Sequence, residues 1–95
     1  MVAVQVSFAP NRELYDAVAQ EVEVVTNKPA GLIVHTANEL PDGRIQIVDV
    51  YDSMESLAAF GEARVMPAFE AVGVPQQIIE ASRPTAYEAF EVARA

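Results

Sequence analysis

The sequence contains no cysteine, no tryptophan and a single histidine, His35. Without cysteine, disulfides, thiolate metal sites, iron–sulfur clusters and a cysteine nucleophile are all excluded. One histidine is too few for the usual zinc or non-haem iron site. The four glycines stand apart, so there is no glycine-rich phosphate loop. A dinucleotide or flavin domain would not fit in this length. We therefore predict no metal site and no cofactor.

Basic charge and long apolar runs are also scarce. The chain has 6 Lys and Arg against 14 Asp and Glu, a net charge of −8. Such a chain repels phosphate backbones and anionic lipid surfaces, which argues against nucleic acid and membrane partners. No apolar run approaches the roughly 18 residues that a transmembrane helix needs. The first residues lack the basic region of a signal peptide, and with no disulfides this predicts a cytoplasmic protein.

Apolar residues, in contrast, are abundant, at 52% of the chain. Ninety-five residues are enough for one domain with one core. A chain of this size buries only about 60–65% of its unfolded surface, so a surplus of apolar surface remains to be covered. Because most soluble oligomers are symmetric, we expect a homodimer.

The apolar patterns follow the order β-α-β-β-α-β of an α+β, ferredoxin-like domain. With right-handed crossovers, this order gives a four-stranded antiparallel sheet with both helices on one face. Pro67 is expected to kink or split the second helix. The predicted strands cover 2–8, 32–38, 44–51 and 76–83, and the first helix covers 12–25.

The chain is predicted to divide into a domain over 1–84 and a C-terminal tail over 85–95. Thr85 and Glu88 have the spacing of a capping box, which predicts a short helix over 86–94. Its apolar side has nothing left to cover in its own subunit, so we expect it to pack on the partner. The sheet face without helices is expected to carry Ile33, Ile47, Tyr51 and Ile79, and to face the same sheet of the partner across a barrel.

Two segments, Gly31–His35 and Val48–Phe60, resemble the dimeric α+β barrel superfamily. Within it they are most similar to small proteins related to antibiotic-biosynthesis monooxygenases. The shared pattern is a strand ending in an aromatic residue, an acidic–serine cap, and a helix with an early Phe and a later Pro, here Phe60 and Pro67. The resemblance covers residues 2–83. It implies a homodimeric barrel with activities such as cofactor-free oxygenation or polyketide cyclisation.

His35 is the candidate base of a catalytic site. If 41–43 form a three-residue loop, His35 lies opposite Asp49, and Ile33 lies opposite Tyr51; a two-residue loop would pair His35 with Val48 instead. In the first register, His35, Asp49 and Tyr51 share the uncovered face. A carboxylate beside an imidazole orients it as a general base.

Tyr51 is predicted to donate a proton, or a hydrogen bond to a developing oxyanion. The alternative is a polar cluster that hydrogen-bonds across the dimer without chemistry.

Further residues are predicted to contact the substrate: Ile33, Ile47, Gln5 and Arg83. On the uncovered face, Arg83 would bind a carboxylate or phenolate. Alternatively, it pairs with surface acids.

The sequence therefore predicts a small-molecule-binding dimeric barrel that takes an apolar or aromatic ligand. Its activity would be that of a cofactor-independent monooxygenase or cyclase on an aromatic or polyketide-like substrate. The alternative is a non-catalytic ligand-binding or assembly protein.

Overall fold

The structure, a computed structural model, describes residues 1–94. Four antiparallel strands form one sheet in the order β2-β3-β1-β4, which confirms the predicted α+β ferredoxin-like fold. The strands are β1 (Val2–Ala9), β2 (Leu32–Glu39), β3 (Ile45–Tyr51) and β4 (Thr85–Ala89). The helices are α1 (Arg12–Val22), α2 (Met54–Phe60), a π-helical segment (Gly61–Val65), α3 (Met66–Val72) and α4 (Gln76–Ala81).

The fourth strand lies one segment later than predicted. Gln76–Ala81 is a helix, and Thr85–Ala89 pairs with β1, so the predicted strand over 76–83 and the predicted helix over 86–94 are both wrong. The adjacent Ile78 and Ile79 do not alternate, and both line a cavity under the helices. The segment predicted as a tail therefore supplies an edge strand of the sheet. Residue 95 lies outside the described residues, and packing of this segment on a partner stays a prediction.

The helices cover the sheet face that was predicted to be bare. Tyr51 is 0% exposed and Ile45 is 2% exposed, so the odd-numbered residues of β3 point into the core. The main core cluster contains Ala3, Val22, Val24, Tyr51, Leu57, Phe60 and Ala68. The predicted face assignment was therefore inverted, because both faces of β3 are rich in apolar residues.

The opposite side of the sheet, here called the open face, is also apolar. It consists of Val4, Val6, Val34, Val48, Val50 and Tyr87, which the strand pairings place side by side. Val34 remains 44% exposed and Tyr87 57% exposed, while the other four are half-buried. Within residues 1–94, this face carries the surplus apolar surface that the composition indicated.

Pro67 changes the hydrogen bonding of the second helical region without breaking it. Residues 54–72 are helical throughout, and the five residues before Met66 form the π segment. The Met66 N–H donates to the carbonyl of Gly61, five residues back, instead of four. Because proline has no N–H to donate, a wider turn next to it leaves the helix axis continuous.

Arg64, in the π segment, ties this helical region to the end of α1. Its guanidinium donates to the carbonyl oxygens of Val22 and Asn27 and lies over the Phe60 ring, 5.8 Å from the centroid. Val22 ends α1 and Asn27 follows it, so no further N–H of the helix is available to these carbonyls. Arg64 therefore satisfies main-chain acceptors, and within residues 1–94 it forms no ion pair with a carboxylate.

Gly31 brings the start of β2 against the start of α2. Its φ is +82°, and its carbonyl accepts the Asp52 N–H at 2.8 Å. A Cβ at this position would lie 2.5 Å from Asp52 Oδ1 and 2.6 Å from Ser56 Oγ. Both the backbone conformation and the close approach therefore require glycine here.

In the part of the chain that the structure describes, no helix has the length and apolar character needed to cross a membrane.

Candidate functional site

The predicted pairing of His35 with Asp49 is present in the sheet. Leu40 N–H donates to the carbonyl of Arg44 at 2.8 Å, which closes the three-residue loop that this register requires. The pairing of Ile33 with Tyr51 is wrong. A bulge between Leu32 and Val34 puts Leu32 opposite Tyr51 and shifts the first part of β2 by one residue.

Asp49, His35 and Tyr15 form a hydrogen-bonded chain. His35 Nδ1 lies 2.5 Å from Asp49 Oδ1, and His35 Nε2 lies 3.1 Å from Tyr15 Oη. One neutral tautomer satisfies both contacts: Nδ1–H donates to the carboxylate, and Nε2 accepts from the Tyr15 hydroxyl. The carboxylate therefore fixes both the tautomer and the orientation of the imidazole.

Asp49 is 6% exposed, so its charge is almost fully buried. An isolated buried carboxylate is costly, and its partner here is the imidazole on the neighbouring strand. The His35 side chain is 15% exposed. Two strands of one sheet hold the pair, which makes the geometry rigid.

Tyr15 reaches the pair from α1. The helix begins after Asn11, whose side chain accepts the Leu14 N–H at 2.8 Å, and this places Tyr15 in the first full turn above the sheet. Burial raises the pKa of the Tyr15 hydroxyl, and the negative charge of Asp49 adds to the effect. Tyr15 is therefore a protonated donor at neutral pH. Tyr15 could not be identified from the sequence, because its position on the apolar stripe of α1 is also that of a core residue.

A cavity of about 420 Å³ lies between the helices and the covered face of the sheet. Tyr15, His35 and Asp49 are on its wall, and most of the remaining wall is aliphatic or aromatic. The volume falls in the range of about 300–1,000 Å³ that is typical of small-molecule sites. The π segment borders this cavity through Gly61 and Val65.

Three of the four predicted substrate contacts, Gln5, Ile47 and Arg83, line this cavity together with His35. Ile33 is 37% exposed and does not line it. Within residues 1–94, no carboxylate forms an ion pair with Arg83. The guanidinium is therefore a positive charge at a largely apolar cavity, in a protein with a net charge of −8.

Tyr51 is placed differently from the predicted proton donor. It is 0% exposed, packs on Phe60 with ring centroids 5.8 Å apart, and does not line the cavity. Its hydroxyl has no hydrogen-bond partner among the described residues. Burial, reinforced by the charge of Asp49, raises the pKa of Tyr51 well above its usual range. Tyr15 therefore occupies the position next to His35 that was expected for Tyr51.

Over residues 1–94, no cluster of three or more His, Asp or Glu side chains has an arrangement that would hold a metal ion.

The antiparallel sheet with its helices on one face and a cavity between them defines a ferredoxin-like α+β protein. No protein-family model and no curated protein matches the chain. Solved structures match it over nearly their whole length.

A candidate antibiotic biosynthesis monooxygenase from Deinococcus radiodurans has a TM-score of 0.63 and 18% identity, covering 100% of this chain and 98% of that one. A second, from Chloroflexus aurantiacus, has a TM-score of 0.61 and 15% identity, covering 99% and 98%. A dimeric ferredoxin-like protein from an uncultured marine organism has a TM-score of 0.50 and 15% identity, covering 99% and 93%. At these identities the likeness establishes the fold, and the predicted resemblance is confirmed at that level.

Proposed function

We propose that this protein is a cofactor-independent enzyme that removes a proton from a small aromatic or polyketide-like substrate, with His35 as the general base. The observation that carries the proposal is an imidazole on the wall of a 420 Å³ apolar cavity, held through Nδ1 by a buried carboxylate. The structural neighbours described as candidate antibiotic biosynthesis monooxygenases support it.

In the proposed reaction, Nε2 of His35 is the basic atom. Nδ1 carries the proton that is donated to Asp49, so the lone pair of Nε2 points away from the carboxylate. When Nε2 takes a proton, the resulting imidazolium lies against the Asp49 carboxylate, and the pair is neutral overall. The largely apolar wall lowers the local dielectric, which strengthens this electrostatic interaction.

The substrate anion then has two possible fates. As an oxygenase, the protein would pass it to O₂: a methylene carbon bonds to one oxygen atom, and the second oxygen leaves with the two hydrogens as water. As a cyclase, it would let the carbanion attack a carbonyl carbon of the same molecule. Both reactions start from the same proton transfer, so the His35 pair serves either one.

We propose that the protein works as a homodimer joined through the open face. The support is the continuous apolar surface of Val4, Val6, Val48 and Val50, and the dimeric state of one structural neighbour. In such a dimer the cavity stays within each subunit, because it lies on the other side of the sheet.

Within the cavity, we expect Gln5 and Ile47 to contact the substrate and Arg83 to hold an anionic oxygen of it. Arginine presents several donors in a planar arrangement that suits carboxylates and phenolates.

The enzymatic proposal can be tested with a phenolic aromatic ketone that has an acidic methylene group. Its turnover is measured by O₂ uptake and by the change in absorbance. His35→Gln is expected to lower the rate by about 100-fold or more, because general-base catalysis contributes at least that much. Thr36→Ala changes the next residue of β2, whose hydroxyl donates to the Val48 carbonyl away from the cavity, and should keep the rate. An unchanged rate in His35→Gln would exclude His35 as the base.

The second candidate function is that of a non-catalytic ligand-binding protein. One observation favours it: both ring nitrogens of His35 already have hydrogen-bond partners without a substrate. In that case aromatic ligands bind to the cavity with no turnover, and His35→Gln changes only their affinity.

A further inference from the structure

The hydroxyl of Tyr15 occupies the one nitrogen of His35 that could act as a base. Tyr15 Oη lies 3.1 Å from Nε2, and both side chains are on the cavity wall. A ligand in the cavity therefore meets a protonated phenol hydrogen-bonded to the imidazole, instead of a free lone pair. Any proton that reaches Nε2 must either pass through Tyr15 or displace it.

We propose that Tyr15 is a catalytic residue that relays a proton from the hydroxyl group of a phenol or enol ligand to His35. The ligand O–H bond breaks as a new O–H bond forms on Tyr15 Oη, and the original Tyr15 proton moves to Nε2. The products are a ligand oxyanion and an imidazolium beside the Asp49 carboxylate. No oxidant or other reactant enters this step, which rests on the proposed function.

The relay selects the chemical class of the ligand. A neutral tyrosine can accept a proton only while it loses its own, so the exchange needs a hydrogen bond on each side of Oη. Phenol and enol O–H groups form such hydrogen bonds, whereas C–H groups form only weak ones. A phenolate or enolate also places negative charge on carbon by resonance, which supplies the carbanion that the proposed reactions require.

The charges around Tyr15 favour its protonated form. Asp49 is the acidic group in contact with His35, and Asp16 and Arg12 are the charged groups that act on Tyr15 from α1. Burial and the two carboxylates keep Tyr15 protonated, and Arg12 opposes them. Tyr15 therefore gains the ligand proton as it gives its own proton to His35, and no stable tyrosinate forms.

Binding of p-nitrophenol tests the relay, because its phenolate absorbs visible light. The wild-type protein is expected to lower the apparent pKa of the bound probe by about one unit or more, since the anion forms next to an imidazolium. Tyr15→Phe should abolish this shift, and His35→Gln should abolish it as well. Tyr51→Phe and Tyr87→Phe are matched controls, because neither hydroxyl lines the cavity, and both should keep the shift.

The single histidine makes the proton visible by NMR. Addition of the probe to the wild-type protein should convert the His35 ring from the singly to the doubly protonated form, and in Tyr15→Phe the ring should stay singly protonated. If Tyr15→Phe keeps both signals, the ligand reaches Nε2 directly and the relay is wrong, although His35 remains the base. If the wild-type protein does not bind or ionise the probe, the relay is also wrong. If His35→Gln keeps the absorbance shift, the proposed function itself fails.

Discussion

His35 and Asp49 occupy directly paired positions of β2 and β3, with His35 Nδ1 2.5 Å from Asp49 Oδ1 on the helix-covered side of the sheet. Asp49 is a buried charged residue. The residues that point to the same side of β3, Ile47 and Tyr51, are an aliphatic and an aromatic residue. The imidazole therefore has two roles: it faces the cavity, and it stabilises a carboxylate that the core would otherwise disfavour.

Replacement of Asp49 tests the orienting role of the carboxylate. Asp49→Asn removes the charge that fixes the tautomer of His35, so the imidazole can present Nδ1 or a protonated Nε2 to Tyr15. We expect the turnover rate to fall by about 100-fold or more, and the pKa shift of bound p-nitrophenol to be lost. Glu39→Gln, at the far end of β2, is the matched control and should leave both unchanged. Full activity in Asp49→Asn would mean that the carboxylate is only structural.

The hydroxyl of Tyr51 is expected to lower the stability of the fold. It is buried without a partner among the described residues, and an unsatisfied buried hydroxyl costs about 1–3 kcal/mol. Tyr51→Phe should therefore raise the free energy of unfolding by about 1 kcal/mol, measured by urea denaturation, with no loss of turnover. A loss of turnover with unchanged stability would return Tyr51 to the list of catalytic residues.

Alkaline pH should destabilise the protein through Tyr15 and Tyr51. The folded state raises the pKa of both hydroxyls above the ordinary value of about 10, so above that pH the unfolded chain loses protons that the folded chain retains. The stability is fully present below pH about 10 and falls as the pH rises further. Urea midpoints measured from pH 8 upward should show this fall, and Tyr51→Phe should make it less steep. Equal slopes for the two proteins would contradict the burial of the Tyr51 hydroxyl.

Alanine substitutions at two glycines with similar φ angles can separate the steric cost of an added Cβ from the cost of its backbone conformation. Gly31 has φ +82° and close neighbours, whereas Gly43 has φ +89° and nothing within 4 Å of an added Cβ. Gly43→Ala should cost only the left-handed conformation, about 1–2 kcal/mol. Gly31→Ala must also displace Asp52 and Ser56, and we expect it to cost at least about 1 kcal/mol more. Equal losses in thermal unfolding would mean that the start of α2 moves freely.

The open face should control the oligomeric state. Val48 lies between Val6 on β1 and Thr36 on β2, near the centre of this face. Val48→Glu places a charge in the proposed interface and should convert a dimer into a monomer at micromolar concentration, as measured by sedimentation or light scattering. Val25→Glu is the control, because Val25 is 73% exposed and lies beyond α1. A wild-type monomer at that concentration would exclude the dimer.

The order of the elements up to α3 and the pairing of His35 with Asp49 could be predicted because their signals are local. The alternation in β1 and β3 and the turn at 41–43 determine both. The fourth strand could not be predicted in the same way. Thr85 and Glu88 have the spacing of a capping box, but pairing with β1 overrides that local preference, as strand formation depends on tertiary context.

The two sheet faces could not be distinguished because both are apolar. On β3, Val48 and Val50 alternate with Ile47 and Tyr51, so hydrophobicity alone does not indicate which set the helices cover. Asp49 belongs to the buried set, contrary to the usual pattern, and such exceptions are expected at functional sites. The role of Tyr15 depends on how α1 packs over β2, and no local pattern of residues predicts that packing.

The π segment adds one residue to each hydrogen-bonded ring that it contains, so the helix above the cavity has a register that a regular α-helix would lack. The extra residue is accommodated within the segment itself, because the hydrogen bond that spans it reaches back five residues instead of four. Removal of one residue from Gly61–Val65 would therefore restore a regular α-helix and leave Phe69 on the cavity wall, while the cavity-lining positions now held by Gly61 and Val65 would change. A deletion at this point would reshape the cavity only where the π segment borders it, and the sheet and the His35–Asp49 pair would stay in place. Related chains with one residue fewer here would differ in ligand preference without a change in the rest of the fold.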